Sequence, residues 1–181
     1  MPFAQPNDRE ECNVPYDAEA IAVFGYELGL LKRIRRSGWW HAGVRDPESV
    51  AEHTMRTAQL AAMIAAEEGA DPTRASYLAL WHDSQETRTI TGDQTESLPE
   101  RSRESVRGAV DEYESRQTLE SLCSKDADKL EMLLQAVEYR DVGVQRVEGW
   151  IAPARDDLKT RTGRLIADAA MSVSSLAWRD R

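Results

Sequence analysis

Histidine and cysteine are scarce in this chain of 181 residues, which contains three histidines and two cysteines. The two cysteines, Cys12 and Cys123, have a spacing that matches no metal-binding motif. Long apolar runs are missing as well, since none approaches the roughly 18 residues that a helix needs to span a bilayer. The N-terminal stretch MPFAQPNDREECNVP is polar and proline-rich, unlike a signal peptide. These absences predict a reduced, cytoplasmic setting with no membrane partner.

Basic residues are in deficit. The chain has 32 aspartates and glutamates against 23 lysines and arginines, which gives a net charge of −9. Proteins that bind nucleic acid through its phosphates need basic patches, so this balance argues against a nucleic-acid partner. A small anionic substrate remains compatible, because a bound metal can supply positive charge locally.

Length and hydrophobic pattern together predict the fold class. A chain of this length can form one domain with its own core, and its 41% hydrophobic and 30% charged residues are typical of globular proteins. Residues 1–16 show no periodicity and are predicted to form an N-terminal arm. Residues 17–181 repeat apolar side chains at helical spacing and show no strand-like alternation. We therefore predict an all-α, single-domain helical bundle over this range.

Local start signals predict where several helices begin. Asp17, Asp46-Pro47 and Asp71-Pro72 combine an N-cap acid with, in two cases, a proline in the first turn. The helix that starts at Asp71 is expected to continue through Glu86. Further expectations are a stop at Gly38 before a loop at 39–43, a polar loop at 88–98, a helix capped by Ser124, and a last helical segment at 154–178.

Polar residues interrupt apolar helical segments in three distant parts of the chain. His53 lies in PESVAEHTMRTA, His82 and Asp83 in YLALWHDSQE, and Asp128 in SKDADKLEMLLQA. Taken singly, each fits a hydrogen-bonded core residue or a chance dipeptide. Burying a lone carboxylate among leucines is costly unless a positive group meets it. Two imidazoles and two carboxylates suit a borderline or hard divalent cation, so a metal site is predicted.

The same stretches resemble the HD-domain superfamily of metal-dependent phosphohydrolases, and within it the 5′-deoxynucleotidase-like branch. The resemblance runs from about Leu28 to the C-terminus and is carried by GWWHAGVRDPESVAEHTMRTA, LWHDSQETRTITGD and DADKLEMLLQAVEY. It implies a helical HD fold and release of phosphate from a nucleoside or deoxynucleoside 5′-monophosphate. The implied metal ligands are His53, His82, Asp83 and Asp128.

The number of histidines bears on how many metal ions the site holds. Dinuclear HD enzymes have further histidine ligands between the HD pair and the last aspartate, and this chain has no histidine between Asp83 and Asp128. One divalent ion is therefore expected, drawn from Co²⁺, Mn²⁺, Zn²⁺, Fe²⁺, Ni²⁺ or Mg²⁺.

The resemblance also implies roles around that ion. Asp83 and Glu86 are expected to act in catalysis. The implied substrate-binding residues are Trp39, Arg36, Asp93 and Glu112. For Arg36 there is an independent argument, because guanidinium groups match phosphate oxygens. The run ETRTITGD, which contains Asp93, is two residues longer than the run usual in the family.

Two other functions and an assembly state stay open. A (p)ppGpp-type pyrophosphohydrolase shares the His…His-Asp…Asp pattern, but that branch has a Glu-Asp pair where this chain has Glu86-Thr87. A non-enzymatic HD-fold ligand-binding protein is disfavoured by the intact set of ligand residues. A homodimer is a further expectation, based on an apolar stripe formed by Leu165, Ile166, Ala169, Val173 and Leu176.

Overall fold

The structure is a computed structural model that describes residues 16–87 and 91–180. Within these two ranges there are nine α-helices and no extended strand, which confirms the all-α prediction. The helices are α1 Ala18–Leu28, α2 Gly38–Ala42, α3 Val50–Glu68, α4 Pro72–Trp81, α5 Thr91–Thr95, α6 Glu100–Ser115, α7 Leu119–Asp141, α8 Glu148–Asp157 and α9 Arg161–Ser172. The proposed arm at 1–16 lies outside the described residues except for Tyr16.

Helices α3, α4 and α7 pack against one another and form the centre of the molecule. Many of their buried side chains are small: Ala58, Ala61, Ala65, Ala75, Ala79, Ala127 and Ala136. Alanine ends at Cβ, so facing helices can approach to the short end of the usual 8–10 Å range. Larger side chains such as Leu130 and Leu133 are fully buried between them, and each contributes about 1.5–3 kcal/mol. Polar side chains on three different helices can therefore meet.

Helix α3 begins three residues later than the Asp46-Pro47 signal predicts. Ser49 is its N-cap, with its Oγ accepting from Glu52 N at 3.2 Å and its own N donating to the Glu52 carboxylate at 2.6 Å. This reciprocal capping box satisfies two free N–H groups at once, which the Asp-Pro pair does not do. The expected start was wrong because Ser49 and Glu52 form the stronger cap.

The late start leaves residues 46–48 outside the helix, where they pair with an earlier loop. Arg36 N donates to Glu48 O at 3.0 Å, and Val50 N donates to Ile34 O at 2.9 Å. These two hydrogen bonds bring Arg36 beside the first turn of α3, the turn that leads to His53.

Helix α4 begins as expected, with Asp71 Oδ1 accepting from Thr73 N at 2.8 Å, but it ends at Trp81 and not at Glu86. Two side chains compete with the helical hydrogen bonds there. His82 Nδ1 hydrogen-bonds to Ala79 O at 2.6 Å, and Ser84 Oγ donates to Trp81 O at 3.0 Å. The HD pair therefore lies on a tight turn, and a short 3-10 helix follows at Ser84–Thr87.

Other boundaries also differ from expectation. The predicted stop at Gly38 instead begins α2, and the predicted loop at 88–98 contains α5, with 88–90 outside the described residues. Thr118 caps α7 in place of Ser124, whose hydroxyl donates to Ala75 O at 2.7 Å inside the bundle. The last segment is broken between α8 and α9, where Thr160 caps the second helix.

The late apolar stripe is only partly core. Ile166 packs against the main core, whereas Leu165, Val173 and Leu176 are each more than half exposed, at 56%, 53% and 52%. The buried face of α9 consists of Gly163, Ala167 and Ala170. In the described part of the chain, no helix is both long and apolar enough to cross a membrane.

Candidate functional site

The structure brings together the four side chains that the sequence singles out. His53 comes from α3, His82 and Asp83 from the turn after α4, and Asp128 from α7. His53 Nε2 lies 3.3 Å from His82 Nε2 and 3.3 Å from Asp128 Oδ1, and His82 Nε2 lies 3.1 Å from Asp83 Oδ2. Donor atoms held about 2.0–2.2 Å from one cation are separated by roughly 3–3.5 Å. The spacing and the donor types fit a divalent cation, while the role of each residue as a ligand stays a prediction.

Both imidazoles are oriented by a hydrogen bond at the opposite nitrogen. His53 Nδ1 is bonded to the carboxylate of Glu131, and His82 Nδ1 to the carbonyl oxygen of Ala79 at 2.6 Å. A neutral imidazole that donates from Nδ1 keeps its lone pair on Nε2. Each ring therefore presents Nε2 to the shared centre, as ligating histidines do in metal sites.

Glu131 and Arg56 are parts of this arrangement that the sequence analysis missed. Glu131 is fully buried, and its Oε1 accepts from Arg56 Nε at 3.0 Å and Nη2 at 2.7 Å. The guanidinium offsets the cost of burying that charge. The sequence does contain a signal for Glu131. It is an acid in a leucine-rich stretch, three residues after Asp128, and so lies on the same face of α7 as Asp128.

Charge within the site favours ionised carboxylates. Burial alone would raise the pKa of Asp128, but its hydrogen bond with His53 and the nearby charges of His82 and Lys129 hold that pKa well below its usual range. Burial lowers the pKa of His53, yet hydrogen bonds with Asp128 and Glu131 outweigh it and raise the pKa to about 9. The ionised carboxylates attract positive charge. Without a metal, His53 keeps its proton, and a divalent cation would displace that proton from Nε2.

A cavity of about 340 Å³ opens beside Asp83 and Asp128. Its remaining lining combines acidic, cationic and apolar side chains with two small residues: Glu86, Arg35, Arg36, Lys129, Ile34, Val50, Met132, Trp39, Trp150, Ser37 and Gly38. Arg36 Nη1 lies 3.7 Å from Asp83 Oδ2, so a guanidinium faces the acidic centre. Of the residues expected to bind substrate, Arg36 and Trp39 line this cavity, and so does Glu86.

Trp39 forms a fixed wall of the cavity. It is only 2% exposed, and its ring packs on Tyr139 at 5.2 Å and on Trp150 at 5.5 Å between centroids. Its Nε1 donates to Glu48 Oε1 at 3.1 Å. Burial, helped by the charge of Glu131, raises the pKa of Glu48 to about 7. Glu48 and Trp150 were also missed, since neither stands in a recognisable catalytic pattern.

Asp93 and Glu112 lie away from this cavity lining. Glu112, on α6, is bonded to the Arg74 guanidinium and accepts from Thr118 Oγ1 at 2.8 Å. Asp93 lies in the first turn of α5, beyond the undescribed residues 88–90. Glu112 is held between α4 and α7 by its bonds to Arg74 and Thr118. It therefore does not line the cavity beside Asp83 and Asp128. The substrate contacts expected of both residues stay untested.

Comparison with known proteins finds a match to the HD-domain family and similarity to proteins named 5′-deoxynucleotidase. A model of the HD domain matches residues 28–96 and 90–165. The chain is 32% identical over 149 residues to 5′-deoxynucleotidase HDDC2 of Homo sapiens, covering 70% of this chain and 72% of that protein. It is 30% identical over 136 residues to 5′-deoxynucleotidase hdd1 of Schizosaccharomyces pombe, covering 62% and 68%.

Solved structures agree in fold. A predicted coding region from Archaeoglobus fulgidus has a TM-score of 0.67 at 31% identity, covering 85% of this chain and 94% of that one. A conserved hypothetical protein from Pyrococcus furiosus has a TM-score of 0.70 at 29% identity, covering 84% and 99%. The helical fold of this chain is therefore shared with these solved proteins.

Proposed function

This chain belongs to the HD-domain family, and we propose that it is a metal-dependent phosphohydrolase that releases phosphate from a nucleoside or deoxynucleoside 5′-monophosphate. The observation that carries the proposal is the convergence of His53, His82, Asp83 and Asp128 at one end of a cavity that also offers cationic and aromatic walls. The curated relatives described above bear the name 5′-deoxynucleotidase, which favours a phosphomonoester over a pyrophosphate substrate.

The four convergent residues would hold one divalent cation. Two imidazole nitrogens with two carboxylate oxygens favour Mn²⁺, Fe²⁺, Co²⁺, Ni²⁺ or Zn²⁺ over Mg²⁺, which prefers oxygen ligands alone. When bound, such a cation polarises a phosphoryl oxygen and lowers the pKa of a coordinated water. A second group of possible donors, Glu48 with His53 and Glu131, shares His53 with the first. Its two glutamates already accept from Trp39 and Arg56, which supports a single ion.

Other residues of the chain orient the water, transfer the proton and bind the substrate. Asp83 and Glu86 lie beside each other at the cavity, since Glu86 N donates to Asp83 O at 3.1 Å. Their carboxylates orient the attacking water. Glu86, which is exposed, takes up the proton that this water loses, or an equivalent proton from solvent, and passes it to the leaving sugar oxygen. Arg36 binds phosphate oxygens through its guanidinium fork. Trp39 and Trp150 give the nucleoside an apolar wall.

The test is phosphate release from a panel of ribo- and deoxynucleoside 5′-monophosphates, each assayed with the six candidate metals. Matched nucleoside 5′-diphosphates, 3′-monophosphates and a (p)ppGpp-type substrate serve as controls. Metal-dependent release from 5′-monophosphates alone supports the proposal. Turnover of the pyrophosphate substrate alone would replace it with the pyrophosphohydrolase alternative.

Setting and assembly are secondary parts of the proposal. The low cysteine content, with Cys123 buried and unpaired, supports a cytoplasmic setting. The exposed side chains of Leu165, Val173 and Leu176 support a homodimer formed through α9 and the residues after it. Light scattering should then give about twice the 20.4 kDa of one chain, and a single-chain mass would refute the dimer.

A further inference from the structure

Three cationic and three anionic side chains line the cavity beside the proposed metal ligands: Arg35, Arg36, Lys129, Asp83, Glu86 and Asp128. Such a local balance stands out in a chain with a net charge of −9. Arg35 forms ion pairs with two acids outside the cavity lining: its guanidinium lies 3.2 Å from Asp46 and 3.6 Å from Glu52. Lys129 instead has its acid partner within the metal-binding group.

The ammonium group of Lys129 turns back toward the cavity. Lys129 directly follows Asp128 in α7, and consecutive residues of a helix do not face each other. Its Nζ nevertheless lies 2.9 Å from Asp128 Oδ2, while the other oxygen, Oδ1, lies 3.3 Å from His53 Nε2. The Lys129 side chain is 30% exposed, so it has room to extend into solvent and is not held against Asp128 by burial. Asp128 thus stands between the histidine pair and the lysine.

Asp83 also has an imidazole and a cationic side chain as neighbours, both of them at one oxygen. Its Oδ2 lies 3.1 Å from His82 Nε2 and 3.7 Å from Arg36 Nη1. Each acid therefore has both an imidazole and a cationic side chain as neighbours, and both cationic side chains line the cavity. A divalent cation bound to the two acids would neutralise them itself. Lys129 Nζ and Arg36 Nη1 would then face an anionic ligand, while Arg36 Nε stays 3.6 Å from Glu48 Oε1.

We propose that Lys129 is a phosphate-binding residue that, together with Arg36, holds the dianion of a terminal phosphomonoester beside Asp83 and Asp128. The inference rests on the proposed function and names the residues that bind the phosphate group of its substrate. Arg36 and Lys129 offset the charges of Asp83 and Asp128, so a divalent cation bound to these two acids leaves a surplus of two positive charges beside them. That surplus matches a phosphate monoester above its second pKa of about 6. A phosphodiester, with one negative charge, matches it less well.

The test measures phosphate and metal binding separately. Titration calorimetry gives the Kd of inorganic phosphate for the Co²⁺-loaded protein, and competition with a chromophoric chelator gives the Kd of Co²⁺. The variants are Lys129→Met, Lys129→Arg and Lys159→Met. Lys159 is the matched control, because it too pairs with a nearby acid, Asp157, at 3.3 Å, but lies outside the cavity lining.

Lys129→Met should weaken phosphate binding by about 10- to 100-fold, the range for a lost charge-assisted hydrogen bond. Lys129→Arg should recover most of that affinity because it keeps the charge, and Lys159→Met should bind phosphate like the wild type. Co²⁺ should bind Lys129→Met as tightly as the wild type or more tightly, since a repelling charge beside Asp128 is gone.

Equal phosphate affinity in Lys129→Met and Lys159→Met would overturn the proposal and leave Lys129 as a charge partner of Asp128. Weaker Co²⁺ binding in Lys129→Met would overturn it as well, because the lysine would then support the metal group. The proposed function fails in a different way. A wild-type protein that binds phosphate through Lys129 but hydrolyses no nucleotide would refute the nucleotidase activity and keep the phosphate site.

Discussion

Replacing Glu131 by glutamine should weaken the binding of a divalent cation by about 10- to 100-fold, or about 1.4–2.8 kcal/mol. The Glu131 carboxylate is bonded to His53 Nδ1 and is held by Arg56 at 3.0 and 2.7 Å. Glutamine keeps the size and one acceptor oxygen. It removes the negative charge that makes the His53 imidazole a stronger metal ligand. It also offers an NH₂ group to His53 Nδ1, which favours a different orientation of the imidazole ring.

The same substitution also has a cost in folding free energy. Removing one partner of a buried ion pair costs about 3–5 kcal/mol when the other is left alone. Arg56 is 28% exposed and keeps Glu138 at 2.7 Å and Gln135 at 2.9 Å. We therefore expect a smaller loss, about 1–3 kcal/mol in the free energy of unfolding. Urea denaturation followed by circular dichroism measures it.

Glu138→Gln is the matched control. It removes the other carboxylate partner of Arg56, which is 41% exposed, and leaves the bond between Glu131 and His53 in place. Its Co²⁺ affinity, measured by chelator competition, should equal that of the wild type. If Glu131→Gln binds Co²⁺ within twofold of Glu138→Gln, the orienting role of Glu131 is refuted.

Three further predictions concern other parts of the structure. Glu86→Ala should keep its metal but lose turnover at saturating nucleotide by about 10²–10⁴-fold, and a loss of only a few-fold would make Glu86 a bystander. The pKa of Glu48 rises from 4.5 to about 7 in the fold, so the folded state retains a proton in that window and stability falls as pH rises through it. In chelator-treated protein, Glu48→Gln should therefore gain about 1–3 kcal/mol relative to wild type between pH 5 and pH 8, and a pH-independent difference would contradict this. Ser49→Ala removes the cap of α3 and should cost about 1 kcal/mol in urea denaturation, whereas an unchanged midpoint would discount the capping box.

The convergence of the four candidate ligand residues was predictable from sequence because each carries a local signal. His53 and Asp128 are polar residues on apolar helical faces, the HD pair directly follows the apolar helix α4, and the Asp71-Pro72 start of α4 is a strong cap. The start of α3 was also predictable from local sequence, since Ser49 and Glu52 have the spacing of a capping box. The nearby Asp46-Pro47 pair is a competing start signal and gave the wrong first residue.

The surroundings of those ligands were less predictable because they depend on packing between distant segments. Glu131 meets His53 across 78 residues of sequence, and that contact requires the close approach of α3 and α7. Trp150 reaches the cavity only because α8 packs on α7. The early end of α4 depends on hydrogen bonds from the His82 and Ser84 side chains, which periodicity does not reveal.

The most direct test of the account is a crystal structure of the Co²⁺-loaded protein with anomalous data at the cobalt edge. One full-occupancy cobalt peak per chain is expected. It should lie about 2.0–2.2 Å from Nε2 of His53, Nε2 of His82 and carboxylate oxygens of Asp83 and Asp128. Two peaks a few Å apart, or one peak that leaves any of these four residues out of its coordination shell, would contradict it.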